Sequence, residues 1–193
     1  LTALAEIDAQ DSIPHLLNSL KDIASRETSA RLLGEIGDSV TDPVIQLLNE
    51  EPAVDGALRT LEHLPPPPPK PILDFARVAV SRSREYDALR RGVSSKSKSE
   101  ALSLLEESIH EKSHQYGIRA LRAVGLLGNR DAMNLAIENL QYRDIGQRAN
   151  VIEALESISA KYRDVIQPLM KLWEDESAGA GEPNWERLLN DPD

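Results

Sequence analysis

The strongest hydrophobic pattern in the chain runs over residues 118–168, IRALRAVGLLGNRDAMNLAIENLQYRDIGQRANVIEALESISAKYRDVIQP. Apolar residues recur there every three or four positions, the spacing of one helix face, and short polar turns break the run. The stretch predicts helix, turn, helix, turn, helix. Residues 1–64 repeat the same grammar in shorter pieces. A helix end is expected at 1–7 and a turn at 8–11. A helix over 13–20 follows, with Ile13, Leu16, Leu17 and Leu20 on one face. Ser12 is its expected N-cap, and Pro14 sits in its first turn, where a missing N–H costs little. A helix over 24–36 comes next, stopped by Gly37-Asp38. The segments 44–48, with Pro43 in front, and 54–64 repeat that pair.

The spacing ties these pieces together. Ala5-Glu6-Ile7-Asp8 aligns with Gly34-Glu35-Ile36-Gly37, and Pro14 aligns with Pro43, each at a shift of 29 residues. Leu64 lies 28 residues beyond Ile36. Self-similarity at a period of roughly 20–50 residues is the signature of a solenoid, because one helical hairpin cannot bury its own apolar face.

The middle departs from this pattern. Five consecutive prolines, Pro65 to Pro69, precede Lys70 and Pro71. Polyproline II backbone is expected, as a stiff connector or, in the alternative, a docking peptide for a proline-recognising domain. Pro71 is positioned to open a helix over 72–89, which the polar stretch Ser81-Arg82-Ser83-Arg84 is expected to bend or expose. GVSSKSKS, at 92–99, reads as a flexible loop. Arg82, Arg84, Arg90, Arg91, Lys96 and Lys98 form a local basic cluster, read as solvated surface.

Residues 100–127 hold no proline and predict one long helix, despite Gly117 and the weak Ser113-His114 patch. Further helices are expected at 131–140, 145–158 and 165–174, the last with Pro168 in its first turn. A loop at 175–183 and a short helix at 185–189 close the chain. Ile158 lies 31 residues after Leu127, so the repeat resumes after the interruption. The domain reading is N-terminal repeats at 1–64, a connector, helix and Ser/Lys loop at 65–99, and C-terminal repeats at 100–193. Both chain ends look cut, which predicts a piece of a longer protein.

Composition narrows the function. Aromatic residues make up only 4% of the 193 residues, so the core rests on Leu, Ile, Val and Ala. That suits thin, repeated helix–helix contacts. The net charge of −10 works against phosphate backbones, and nucleic acid is not an expected partner. The absence of cysteine excludes disulfides and thiolate metal sites and fits a reducing, cytoplasmic setting. No apolar run is long enough to span a bilayer, and no signal peptide is visible.

No catalytic constellation stands out. His110-Glu111 is a single His-Glu pair, too few ligands for a two-metal site. His110 and His114 lie four apart, as zinc ligands do, without an evident third ligand. There is no HExxH, nucleophile elbow or phosphate-cradling glycine loop. No catalytic residue, metal, cofactor or small-molecule ligand is expected. Arg31, Arg59 and Arg122 each precede the last apolar residue of their helix by five positions. Equivalent positions in stacked repeats would form a ladder able to bind an acidic partner, or be taken up by a neighbouring repeat's Asp or Glu. Glu153 breaks the ladder in the last repeat.

Helix pairs of about 30 residues, with a proline in the first helix and an EIG or LLG ending in the second, resemble HEAT repeats. The run LEESIHEKSHQYGIRALRAVGLLGNRDAMNLAIENL, then QRANVIEALESI and WERLLNDPD, resembles the soluble HEAT segment of bacterial membrane proteins related to ATP/ADP translocases. The proline run and Ser-rich loop depart from that pattern. The resemblance implies an all-α, armadillo-like fold: a short right-handed HEAT-like solenoid of antiparallel helix pairs with an irregular proline- and serine-rich middle. It also implies a scaffold for protein–protein or interdomain contacts, tethered to a membrane through a larger parent. Translocase and nucleotide-binding residues would then lie outside this sequence. The alternative is a helical-repeat enzyme of the bilin lyase-like or DNA-repair glycosylase-like type.

Overall fold

A computed structural model describes residues 2–94, 100–128, 130–141 and 162–179. Among the described residues the regular structure is entirely helical. Eight α-helices occur there: α1 (Thr2–Ser19), α2 (Arg26–Ile36), α3 (Thr41–Leu47), α4 (Val54–His63), α5 (Pro69–Ser94), α6 (Glu100–Leu126), α7 (Arg130–Gln141) and α8 (Arg163–Gly179). Short 3-10 turns, Asp38–Val40 and Glu51–Ala53, lead into α3 and α4. The expected helices at 145–158 and 185–189 and the loop residues 95–99 lie outside the described residues.

The N-terminal repeat register differs from the expected one. No turn interrupts residues 8–11; α1 is a single helix with Pro14 inside it, and Ser12 lies within that helix rather than at its start. The reason lies in one aligned pair. Gly37 ends α2 at φ +89°, a backbone conformation that L side chains rarely adopt, and its N–H caps the Leu33 carbonyl. Asp8 occupies the matching position and does not favour that break, so the helix continues until Ser19. Pro14 then forgoes one helical hydrogen bond.

The middle is also more regular than expected. Leu64 leaves α4 in an extended conformation. Residues 65–68 bridge to Pro69, which opens α5 two residues ahead of Pro71. A proline fits the first turn because its missing N–H would be unpaired there anyway. From Pro69 to Ser94 the chain is one unbroken helix, packed along α6. Ser81, Arg82 and Arg84 are exposed, as expected of that polar stretch, but the helix does not break there and Ser83 carries part of the seam. Ser83 and Ser113 are both buried, and each hydroxyl donates to the other's backbone carbonyl at 2.8 Å. Small side chains let the two helices approach there, and the reciprocal bonds satisfy both hydroxyls.

α6 is the single long helix expected. Pro168 lies in the second turn of α8 rather than its first, and α8 runs on to Gly179 through residues expected to form a loop. The helices pack as consecutive pairs, α1 with α2, α3 with α4 and α5 with α6. α4 touches both α2 and α6, α7 lies against α6, and α8 returns to α5. The core is aliphatic. In α4, Ala57, Leu58 and Leu61 are fully buried, and Ile72, Leu121 and Ile166 close the space between α5, α6 and α8.

The entry to α4 is a tight point against backbone. A Cβ on Gly56 would sit 2.6 Å from the Leu20 carbonyl oxygen, a backbone atom that cannot swing aside. Gly92, on α5, has open space around it. Gly56→Ala is therefore expected to destabilise by about 1–3 kcal/mol through overpacking, while Gly92→Ala stabilises by up to about 1 kcal/mol through helix propensity. Urea melts of the two variants read the opposite signs directly. Equal midpoints would remove the close-packing argument.

Candidate functional site

The residues with the most developed polar chemistry lie where α2, α4 and α6 meet. Arg119, on α6, is only 4% exposed. It stands on the helix's buried stripe, three residues after Tyr116 and one before Ala120. Its guanidinium forks onto Asp55 of α4, with Nε donating to Oδ1 and Nη2 to Oδ2, both at 2.8 Å. Nη1 donates to Oε1 of Glu51 at 2.6 Å. The guanidinium carbon lies 5.3 Å from the centre of the Tyr116 ring, within cation–π range. Tyr116 in turn stacks on Tyr86 of α5, with centroids 5.6 Å apart.

Electrostatics follow this geometry. Burial pulls the Arg119 guanidinium down, but its bonds to Asp55 and Glu51 outweigh that and raise it further. Burial pushes the Asp55 carboxyl up, and Arg119 reverses this, holding it below the ordinary value of 3.8. Burial and the Glu51 carboxylate together push the Tyr116 hydroxyl up. Arg26, on α2, approaches Asp55 at 4.0 Å and donates to the Leu20 carbonyl, so the cluster reaches a third helix.

A second cluster flanks the first. Arg59 forks onto Glu27 of α2, with Nε 2.9 Å from Oε2 and Nη2 3.0 Å from Oε1. It also reaches Glu62 at 3.1 Å. Arg122 donates to the other oxygen of Glu62 at 2.8 Å. Arg130 of α7 donates to the carbonyls of Glu62 and Leu64, fixing the exit of α4 into the proline run. Between these groups lies an open groove of about 360 Å³, lined by Arg26, Glu27, Asp55, Arg59, Glu62, Arg122 and neighbours on α6 and α7.

Of the three arginines singled out by spacing, Arg59 and Arg122 line this groove and share Glu62. Arg31 does not join them. It is exposed on α2 and pairs with Glu35 one turn along its own helix. Arg119, Asp55 and Glu51 were missed. The available signal was a charged residue on an apolar stripe: Tyr116, Arg119, Ala120, Val124 and Leu127 follow helical steps, and position 119 must be buried. Counting back from helix ends passes over it.

His110 and His114 are neighbours on α6, with ring centres 6.2 Å apart. Among the described residues no group of three His, Cys, Asp or Glu converges on a common metal position. No described helix is long and apolar enough to cross a membrane. The chain matches no protein-family model, no curated protein and no solved structure.

Removing Arg119 leaves Asp55, only a quarter exposed, without its fork. Arg119→Met is expected to cost about 2–4 kcal/mol, near the lower end for breaking a buried pair because Glu51 remains hydrated. Arg31→Ala should shift stability by less than about 0.5 kcal/mol. Because the folded Asp55 holds its proton less readily than the unfolded chain does, the stability it lends is complete above about pH 4. It is lost as pH falls through the depressed folded value. A stability–pH profile for Asp55→Asn should be flatter than wild type below about pH 4; parallel slopes would show that the pair does not titrate with folding.

Proposed function

We propose that the chain is a HEAT-like, non-catalytic scaffold that presents the groove on α2, α4 and α6 to a protein partner or to another domain of a larger protein. One observation carries this reading: α4 packs between α2 and α6, and all three helices turn charged side chains onto one shared open face. In a helical solenoid the second helices of successive pairs line such a face, and rigid stacking fixes the spacing of its contacts. Glu27 is two-thirds exposed and pairs with Arg59 from outside the core. A partner carboxylate can take its place on the Arg59 fork, with Arg122 alongside, so an acidic segment is the favoured ligand. The resemblance to HEAT segments linked to ATP/ADP translocase-like membrane proteins extends the proposal to a transporter-linked parent.

Two measurements test it. Small-angle scattering should give a radius of gyration clearly above about 16 Å, the value for a compact globule of this length. A value at that figure would count against the solenoid. Cross-linking capture should recover a partner with wild type that is lost with the double variant Arg59→Glu/Arg122→Glu, while Arg31→Glu keeps it. A capture profile unchanged by the double variant would sink the groove as the contact surface.

A further inference from the structure

α3 and α5 lead consecutive helix pairs, and they are unequal. α3 has 7 residues and packs on α4, while α5 has 26 and packs along α6. α3 is too short to close against α5, and a groove of about 650 Å³ opens between them. On the α5 side it is lined by Pro71, Phe75, Val78 and Arg82, steps of three and four that mark a second face of that helix, distinct from the seam with α6. Ile45 of α3 and Leu48 just after it form the opposite wall. Val54 and Ala79, both buried, close the floor beside Tyr116. Phe75 is the only phenylalanine of the chain and is half-buried here, and Val78 is 59% exposed. From Pro71 to Arg82 this face runs about 17 Å, three turns of helix.

The charges say what fits between these walls. Among the described residues, Glu51, Asp74, Arg82 and Arg119 line the groove. Both bases are committed. Arg119 holds Asp55 and Glu51, and Arg82, at the end of the α5 face, reaches Glu85 of its own helix at 3.5 Å. The two acids stand on opposite walls and keep oxygens toward water. Glu51 is 54% exposed, with Arg119 holding its Oε1. Asp74 is 58% exposed and meets Arg77 through Oδ1 at 3.3 Å. A basic side chain entering between them gains both carboxylates without breaking either pair. The net charge of −10 also draws cationic partners toward the chain. Two helices flanking an apolar trough, with acids at its rim, match an amphipathic helix with apolar anchors and basic flanks.

We propose that the α3–α5 groove docks a basic amphipathic helix of a partner protein, with apolar anchors on Phe75 and Val78 and a lysine or arginine between Glu51 and Asp74. Asp55 lines the α2–α4–α6 face while Glu51 and Arg119 line this groove, so the Arg119 fork is the wall between them. The two faces take ligands of opposite charge, and this one stands independently of the acidic ligand proposed for the other. Fluorescence anisotropy with a labelled amphipathic Leu/Lys peptide of about 18 residues, five turns of helix, tests it. Saturable binding at or below about 100 μM is expected, and a Leu/Glu peptide of the same pattern should bind at least about tenfold more weakly. Val78→Arg, at an exposed position, should weaken the Leu/Lys peptide at least about tenfold, and Asp74→Lys by a similar factor. Leu104→Arg charges an equally exposed apolar residue on α6 and should leave binding unchanged. Absence of saturable binding, equal affinity for the two peptides, or equal losses in Val78→Arg and Leu104→Arg would each overturn the proposal. Sedimentation equilibrium of the chain alone supplies one more outcome: a dimer that Val78→Arg abolishes would make a second copy the occupant and overturn it too.

Discussion

The Arg119–Asp55 fork joins segments that are 64 residues apart in the chain. It spans the proline connector and ties the N-terminal helices to α6. Aliphatic contacts between α4 and α6 hold the helices together without fixing their mutual position, because Leu, Ala and Val surfaces slide at little cost. A planar guanidinium on two carboxylate oxygens does not slide. Tyr116 extends the restraint: it lies under the guanidinium and stacks on Tyr86, so α4, α6 and α5 are indexed to one another through a few side chains. In a core this poor in aromatic residues, position is set by polar geometry more than by interlocking bulk.

Small residues complete the arrangement. The Ser83–Ser113 exchange lets α5 and α6 run close over their length, and Gly56 admits the Leu20 backbone against the start of α4. Both are positions where a larger side chain would push helices apart and misalign the forks. The two devices work at different ranges. Glycine and serine set the distance between helices, and the arginines set their register.

This division explains what the sequence made legible. Helix existence followed from apolar steps of three and four, and α2, α4, α6 and α7 lie close to their expected bounds. Helix breaks were harder to read, because a break depends on a single residue with the right backbone freedom. Gly37 supplies it and Asp8 does not, though the surrounding residues match. Serine was read as a source of bending or exposure at 81–84 and as a weak patch at 113, yet a serine that finds a carbonyl across a helix seam is at home in a core. The site was half legible. Regular spacing found Arg59 and Arg122, but spacing treats all arginines as surface. It passed over Arg119, whose meaning lies in being charged where its neighbours are apolar, and whose partners Asp55 and Glu51 come from a distant part of the chain.

The charges on the α2–α4–α6 face also constrain how any partner engages it. Every arginine in the groove already holds a carboxylate, so docking is an exchange of ion pairs rather than a simple addition. The partners differ in how readily they exchange. Glu62 is nearly buried, bridges Arg59 and Arg122, and its backbone carbonyl is held by Arg130. Displacing it would leave a carboxylate unpaired in poor solvent. Glu27 sits at the open edge, and water receives it at little cost when it lets go. Specificity is thus built around one displaceable acid and one fixed one. An incoming carboxylate gains the Arg59 fork only if its approach leaves the Glu62 bridge intact, which limits both its direction and the bulk that can accompany it.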